Sequence, residues 1–89
     1  MLDQDLFGIL DILALDPELG VVGIQSTGSD FSGHLRKLTE ERAPETRDWL
    51  STPGTRLYLY AWRKVKAKRG GTAMIWAPRI REILQEDVT

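Results

Sequence analysis

Asp11, Gln25 and Thr27 offer a carboxylate, an amide and a hydroxyl in the first third of the chain. Oxygen donors of this kind suit a hard divalent cation or proton-transfer work. They serve either purpose only if they converge. The stretch Phe7 to Thr27, FGILDILALDPELGVVGIQST, decides that. It reads as two strands joined by Asp16-Pro17-Glu18-Leu19-Gly20, which is turn chemistry. A loop of three residues pairs Asp16 with Gly20, and a loop of five pairs Leu15 with Val21. Both give one register, with Asp11 directly opposite Gln25 and on the same face. Thr27 shares that face one diagonal step away. A lone carboxylate in an apolar strand is costly to bury unless something pairs with it. Asp11 is therefore satisfied by backbone donors, lies at an exposed strand end, or belongs to a metal or catalytic site.

The first strand, FGILDILAL, is apolar on both faces, which predicts burial on both sides at the centre of a sheet. After Thr27, Gly28-Ser29-Asp30 forms a loop that ends in a helix N-cap. Phe31, Leu35 and Leu38 give one narrow apolar stripe, which predicts a helix from about Phe31 to Arg42. His34, Arg36 and Lys37 lie near that stripe. Pro44 starts a second short helix, PETRDWLS, with Trp49 and Leu50 turned inward. The stretch TRLYLYAWRKVK alternates as a strand, with Leu57, Leu59, Ala61 and Val65 on one face. Tyr58, Tyr60, Trp62, Lys64 and Lys66 fall on the other. The aromatics are expected to be core, with the lysines reaching solvent beyond them. Lys68-Arg69-Gly70-Gly71-Thr72 closes a hairpin, and TAMIWA is the return strand. Pro78 marks an edge strand or its end. Arg79 to Leu84 fits either a helix or a continued strand, and Glu86 to Thr89 is expected to fray. The result is an α/β chain with a small mixed sheet, a central hairpin over about 7–27, helices over about 30–51 and a basic C-terminal hairpin.

At 89 residues this is a single domain with a small core. The absence of cysteine excludes disulfides and thiolate metal sites and points to a reducing, cytoplasmic setting. No apolar run is long enough to span a membrane, and the acidic start, MLDQDLFG, lacks the basic flank of a signal peptide. The net charge is −1, but it is segregated. Residues 1 to 19 carry Asp3, Asp5, Asp11, Asp16 and Glu18 with no base. Residues 56 to 82 carry Arg56, Arg63, Lys64, Lys66, Lys68, Arg69, Arg79 and Arg81 against Glu82 alone. An acidic spot beside a basic surface suits a protein that holds a cation next to a polyanion.

An acidic residue on one strand, a turn, an apolar run ending in polar-x-polar, then a helix and a strand resembles the PD-(D/E)xK nuclease superfamily. Here the similar stretch is Leu10-Asp11 followed by Ile24-Gln25-Ser26-Thr27. The motif DLFG-x-x-D-(apolar)-IQ-x-T with a basic Trp62-Arg63-Lys64 strand resembles small bacterial and phage members of Holliday-junction-resolvase or very-short-patch-repair type. The similarity covers roughly residues 5 to 65. It implies a restriction-endonuclease-like fold, a Mg²⁺ or Mn²⁺ ion held by Asp11 and by the side-chain oxygen of Gln25, and Thr27 at the place of the superfamily's lysine. Gln25 is neutral where a carboxylate is usual, so the site loses a charge. Thr27 cannot act as a cation, and Lys37 or His34 would have to take that role. Only ten residues precede Asp11, where the superfamily has a leading helix, so the fold is expected to be shortened, with Asp5 in place of the helix's glutamate.

The implied function is a metal-dependent DNA endonuclease acting on branched or structured DNA as a homodimer. The alternatives are a catalytically degenerate nuclease-like protein that binds nucleic acid, and a small phage or bacterial accessory protein with no nucleic-acid role. In the first two, Arg36, Lys64, Lys66, Lys68 and Arg69 are the phosphate contacts. Lysine acts there as a point charge that does not read bases.

Overall fold

Strict alternation makes Thr55–Lys66 a strand with two unlike faces, and the rest of the fold follows from which face is covered. The computed structural model describes residues 7–89. Four strands form one mixed sheet in the order β1 (Ile12–Asp16), β2 (Gly20–Thr27), β3 (Thr55–Lys66) and β4 (Met74–Glu82). β1 and β2 are antiparallel, β2 and β3 parallel, β3 and β4 antiparallel. A parallel neighbour cannot be reached by a tight turn. The crossover from β2 to β3 is made by α1 (Phe31–Arg36), a π-helical turn (Lys37–Glu41) and α2 (Ala43–Ser51). The protein is a small α/β domain of a four-stranded mixed sheet and two helices.

The hairpin register is the expected one. Ile12 pairs with Ile24 and Asp16 with Gly20, so the connection is Pro17 to Leu19 and Asp11 falls opposite Gln25. Gly20 takes the left-handed φ of 95° that this turn requires. The backbone N–H groups of Leu19 and Glu18 donate to Asp16 Oδ1 at 2.9 and 2.8 Å, which holds the Asp16 carboxyl below the usual carboxylate value. A lowered pKa stabilises the fold at neutral pH, and that contribution is lost as pH falls through it. Asp16→Asn should therefore flatten the acid side of the stability curve below about pH 4, read by urea midpoints at stepped pH.

The expectation of a first strand over Phe7 to Leu15, buried on both faces at the sheet's centre, does not hold. β1 begins at Ile12 and is an edge strand, and Leu15 is 81% exposed. Phe7 and Gly8 both have positive φ, at 57° and 76°, and this turn keeps the chain from extending earlier. Ile9 and Leu10 are fully buried, but ahead of the strand rather than in it. Of the hairpin, only β2 is central.

The core lies on one side of the sheet. Leu57, Leu59 and Ala61 of β3 meet Phe31 and Leu38 of the crossover and Ile9, Leu10 and Ile83, with Leu35, Trp49 and Leu50 packed against them. Gly23 on β2 is closely covered by Leu10 and by Trp49 of α2. A β-carbon there would lie 2.5 Å from Leu10 Cδ2 and 2.9 Å from Trp49 Cζ2. Trp49 is also fixed through its indole N–H, which donates to the Arg56 carbonyl at 3.0 Å. Gly23→Ala should cost about 1–3 kcal/mol by overpacking, measured as a shift in denaturant midpoint with unchanged slope.

Asp30 caps α1 as expected, its carboxylate accepting from Gly33 N at 3.1 Å. The helix expected from Phe31 to about Arg42 is present as one continuous helical run to Glu41, but it changes type partway. From Lys37 the turn widens, and Arg42 N donates to Lys37 O at 2.7 Å. The Thr39 hydroxyl donates to the Leu35 carbonyl at 2.8 Å in the same turn. β4 continues through Pro78 to Glu82, which an edge strand permits. The C-terminus does not fray. After a 3₁₀ turn at Gln85–Asp87, Thr89 N and Oγ1 donate to Thr39 O at 3.0 and 2.8 Å, and Arg47 donates to the Thr89 carbonyl. Among the described residues no helix is long and apolar enough to cross a membrane.

The aromatics of β3 are not core. Residues paired across strands share a face, so Tyr58, Tyr60 and Trp62 share theirs with Ile24 and Ser26 of β2 and with Glu82, Ile80 and Pro78 of β4. That face is opposite the helices. Tyr58 and Tyr60 are half-buried and Trp62 is 40% exposed. The alternation was legible, but the helices cover its aliphatic side, where Leu57, Leu59 and Ala61 fill the space against the crossover.

Candidate functional site

Two places in this fold gather the residues with chemistry in them. The first lies where β1 and β2 begin to pair. Asp11 N donates to Ile24 O at 2.8 Å, which sets the carboxylate beside β2. Asp11 Oδ2 then accepts from Gln25 Nε2 at 2.7 Å and from Ser26 N at 2.8 Å. The carboxylate itself is exposed, whereas Gln25 is only 2% exposed and faces the core side. Gln25 Oε1 is buried and has no hydrogen-bond partner among the described residues. Thr27, paired with Ala61, is half-buried on the same face as Gln25, as the register requires.

The convergence expected of Asp11 and Gln25 is thus present, but it is closed. The amide turns its N–H₂, not its oxygen, to the carboxylate, because a charged acceptor draws a donor. Mg²⁺ takes near-octahedral oxygen ligands at about 2.0–2.1 Å. As arranged, the pair supplies one carboxylate whose Oδ2 already accepts two N–H donors. Among the described residues no three His, Asp or Glu side chains gather as a metal would need. His34 is held at the helix start, its Nδ1 3.0 Å from Asp30 O and 3.8 Å from Asp30 Oδ2. Lys37 is half-buried in the π-helical turn and has a partner of its own. Arg36 is exposed at the end of α1. Asp5 lies outside the described residues.

The second place is the hairpin of β3 and β4. From Trp62 onward the two strands leave the helices behind, and every residue of β3 but Val65 is exposed. The turn is closed by Ala67 N donating to Ala73 O at 2.9 Å and Gly71 N to Lys68 O at 3.1 Å, with Gly70 at a φ of 78°. Lys64, Lys66, Lys68 and Arg69 are exposed along it, as is Arg63 on the helix-side face. The basic residues nearer the body are already engaged. Arg56 pairs with Glu82 at 3.3 Å, Arg81 with Asp87 at 2.9 Å, and the Arg79 guanidinium lies 3.8 Å from the centre of the Phe31 ring. The cations from Arg63 to Arg69 have no carboxylate partner among the described residues. Lys64 Nζ sits 5.4 Å from the centre of the Trp76 ring, which is 62% exposed. Trp76 is the site residue that sequence reasoning passed over. Its signal was present, since it alternates with Met74 and Pro78 on the return strand, across from the lysine-bearing face of β3.

The fold and these two places define a small α/β protein with an exposed basic hairpin. No family model matches the chain, and neither curated proteins nor solved structures yield a match to it.

Proposed function

We propose that this protein binds nucleic acid through the β3–β4 hairpin and does not cleave it. The observation that carries this reading is the run of cations from Arg63 to Arg69, exposed and without carboxylate partners among the described residues, on a projecting hairpin whose turn bears Lys68 and Arg69. Such a run neutralises phosphates without reading bases, and its binding is driven by release of counterions. The Asp11–Gln25 pair acts in this reading as a structural link between β1 and β2. Incubation with labelled oligonucleotides and Mg²⁺ or Mn²⁺ tests both halves at once. The expected result is a shifted complex with full-length nucleic acid. Shortened product that disappears with Asp11→Ala would overturn the second half, and absence of a complex the first.

A second reading is metal-dependent DNA cleavage by a restriction-endonuclease-like fold working as a homodimer. It is favoured by one observation, the meeting of Asp11 and Gln25 across β1 and β2 at 2.7 Å. It requires the Gln25 amide to turn over and present Oε1 beside the carboxylate.

A further inference from the structure

Among the described residues no helix covers the face of β3 and β4 opposite the crossover, and that face is not merely apolar. Along β3 it carries Tyr58, Tyr60 and Trp62 on alternate residues, followed by Lys64 and Lys66. On β4 Trp76 lies across from Lys64, Pro78 across from Trp62 and Ile80 across from Tyr60. Alternate residues of a strand are about 6.7 Å apart, and diagonal neighbours across strands about 7–8 Å. Tyr60, Trp62 and Trp76 therefore form a row of rings leading from the body of the sheet toward the hairpin. Lys64 is already placed over the Trp76 ring. The hairpin half of the face, from Trp62 and Pro78 outward, contains no carboxylate.

We infer that this face binds a single strand of nucleic acid, with bases stacked on Tyr60, Trp62 and Trp76 and phosphates held by Lys64 and Lys66. The inference rests on the nucleic-acid reading above and narrows it to unpaired strands. A ligand that satisfies both rings and cations must present exposed π faces and repeated negative charge together. Single strands do so, whereas a duplex hides its base faces in the stack. A lipid surface suits the site less well. Insertion calls for large apolar residues at the tip, and the tip, residues 67 to 73, carries Lys68, Arg69, two glycines, two alanines and Thr72. A second copy docked by the same half-face would bring the lysines of both copies into one interface that contains no carboxylate.

Fluorescence anisotropy with labelled oligothymidylate of about a dozen nucleotides and a duplex of equal length tests this, using wild type, Trp62→Leu, Trp76→Leu and Trp76→Phe. Leucine keeps apolar area and removes the stacking ring. Both tryptophans are exposed, and the emission of the partly buried Trp49 together with the unfolding midpoint checks that each variant is folded. Wild type should bind the single strand at least tenfold more tightly than the duplex. Each leucine variant should weaken single-strand binding about tenfold, with duplex affinity and salt dependence unchanged, and Trp76→Phe should recover most of the loss. Leucine variants that bind the single strand like wild type, beside Lys64→Ala and Lys66→Ala variants that do not, would overturn stacking and leave the hairpin's phosphate role standing. Failure of wild type to bind either oligonucleotide would remove both readings. Displacement of the single strand by anionic phospholipid vesicles, or a dimer in sedimentation that Trp62→Leu dissolves, would reassign the face and overturn the inference.

Discussion

Replacing Lys64, Lys66, Lys68 and Arg69 together with alanine should reduce nucleic-acid affinity by about 10²-fold or more at low salt, the largest functional effect expected of any variant of this chain. All four are exposed, and the fold should keep its stability to within about 0.5 kcal/mol per site. Affinity should fall alike for every base sequence, because lysine and arginine on phosphates carry no sequence information. The dependence of log K on log salt should also flatten, by about 0.7 unit for each phosphate of a single strand no longer neutralised. Filter binding across a series of salt concentrations gives affinity and slope together. If both are unchanged, the hairpin is a solvated turn and nucleic acid has to be sought on the helix at Arg36 and Lys37.

The second large effect is on stability, at Asp11. Asp11→Ala should destabilise the protein by about 1–3 kcal/mol, because it strips the acceptor from a Gln25 amide that is buried and whose oxygen already lacks a partner among the described residues. Gln25→Leu should be near neutral or stabilising. It removes the unsatisfied Oε1 along with the donor, and Asp11 keeps Ser26 N and solvent. The two changes should be strongly non-additive, with Asp11→Ala costing little once Gln25 is leucine. Urea unfolding of the two single variants and the double variant measures this. Equal cost for Asp11→Ala in both backgrounds would show that the pair does not link the two strands.

Much of this fold could be read from local chemistry. The Pro17-to-Leu19 loop and Gly20 set the β1–β2 register, so the meeting of Asp11 with Gln25 was predictable. The bounds of β3 followed from strict alternation, and the cap at Asp30 and the start of α2 near Pro44 from side-chain and proline chemistry. What could not be read was decided by tertiary contacts. An apolar run such as Ile9 to Leu15 does not say whether it is central, and the positive φ at Phe7 and Gly8 left it as a turn and a short edge strand. Nor does alternation alone say which face of β3 is core. The crossover covers the aliphatic side, and that reverses the role of the aromatics from filling to surface. At the candidate site, spacing placed the carboxylate and amide together, but not which end of the amide turns inward. That orientation separates a hydrogen bond from a pair of cation ligands.

The most direct test of nucleic-acid binding by the hairpin is the salt dependence of the wild-type protein on a labelled single strand, measured with Mg²⁺ absent and then present. With about three to five phosphates held by the cations from Arg63 to Arg69, log K should fall with log salt at a slope of about −2 to −3.5, at roughly 0.7 per phosphate on a single strand. The strand should be recovered intact in both conditions. A slope near zero, or no binding at low salt, would contradict the account.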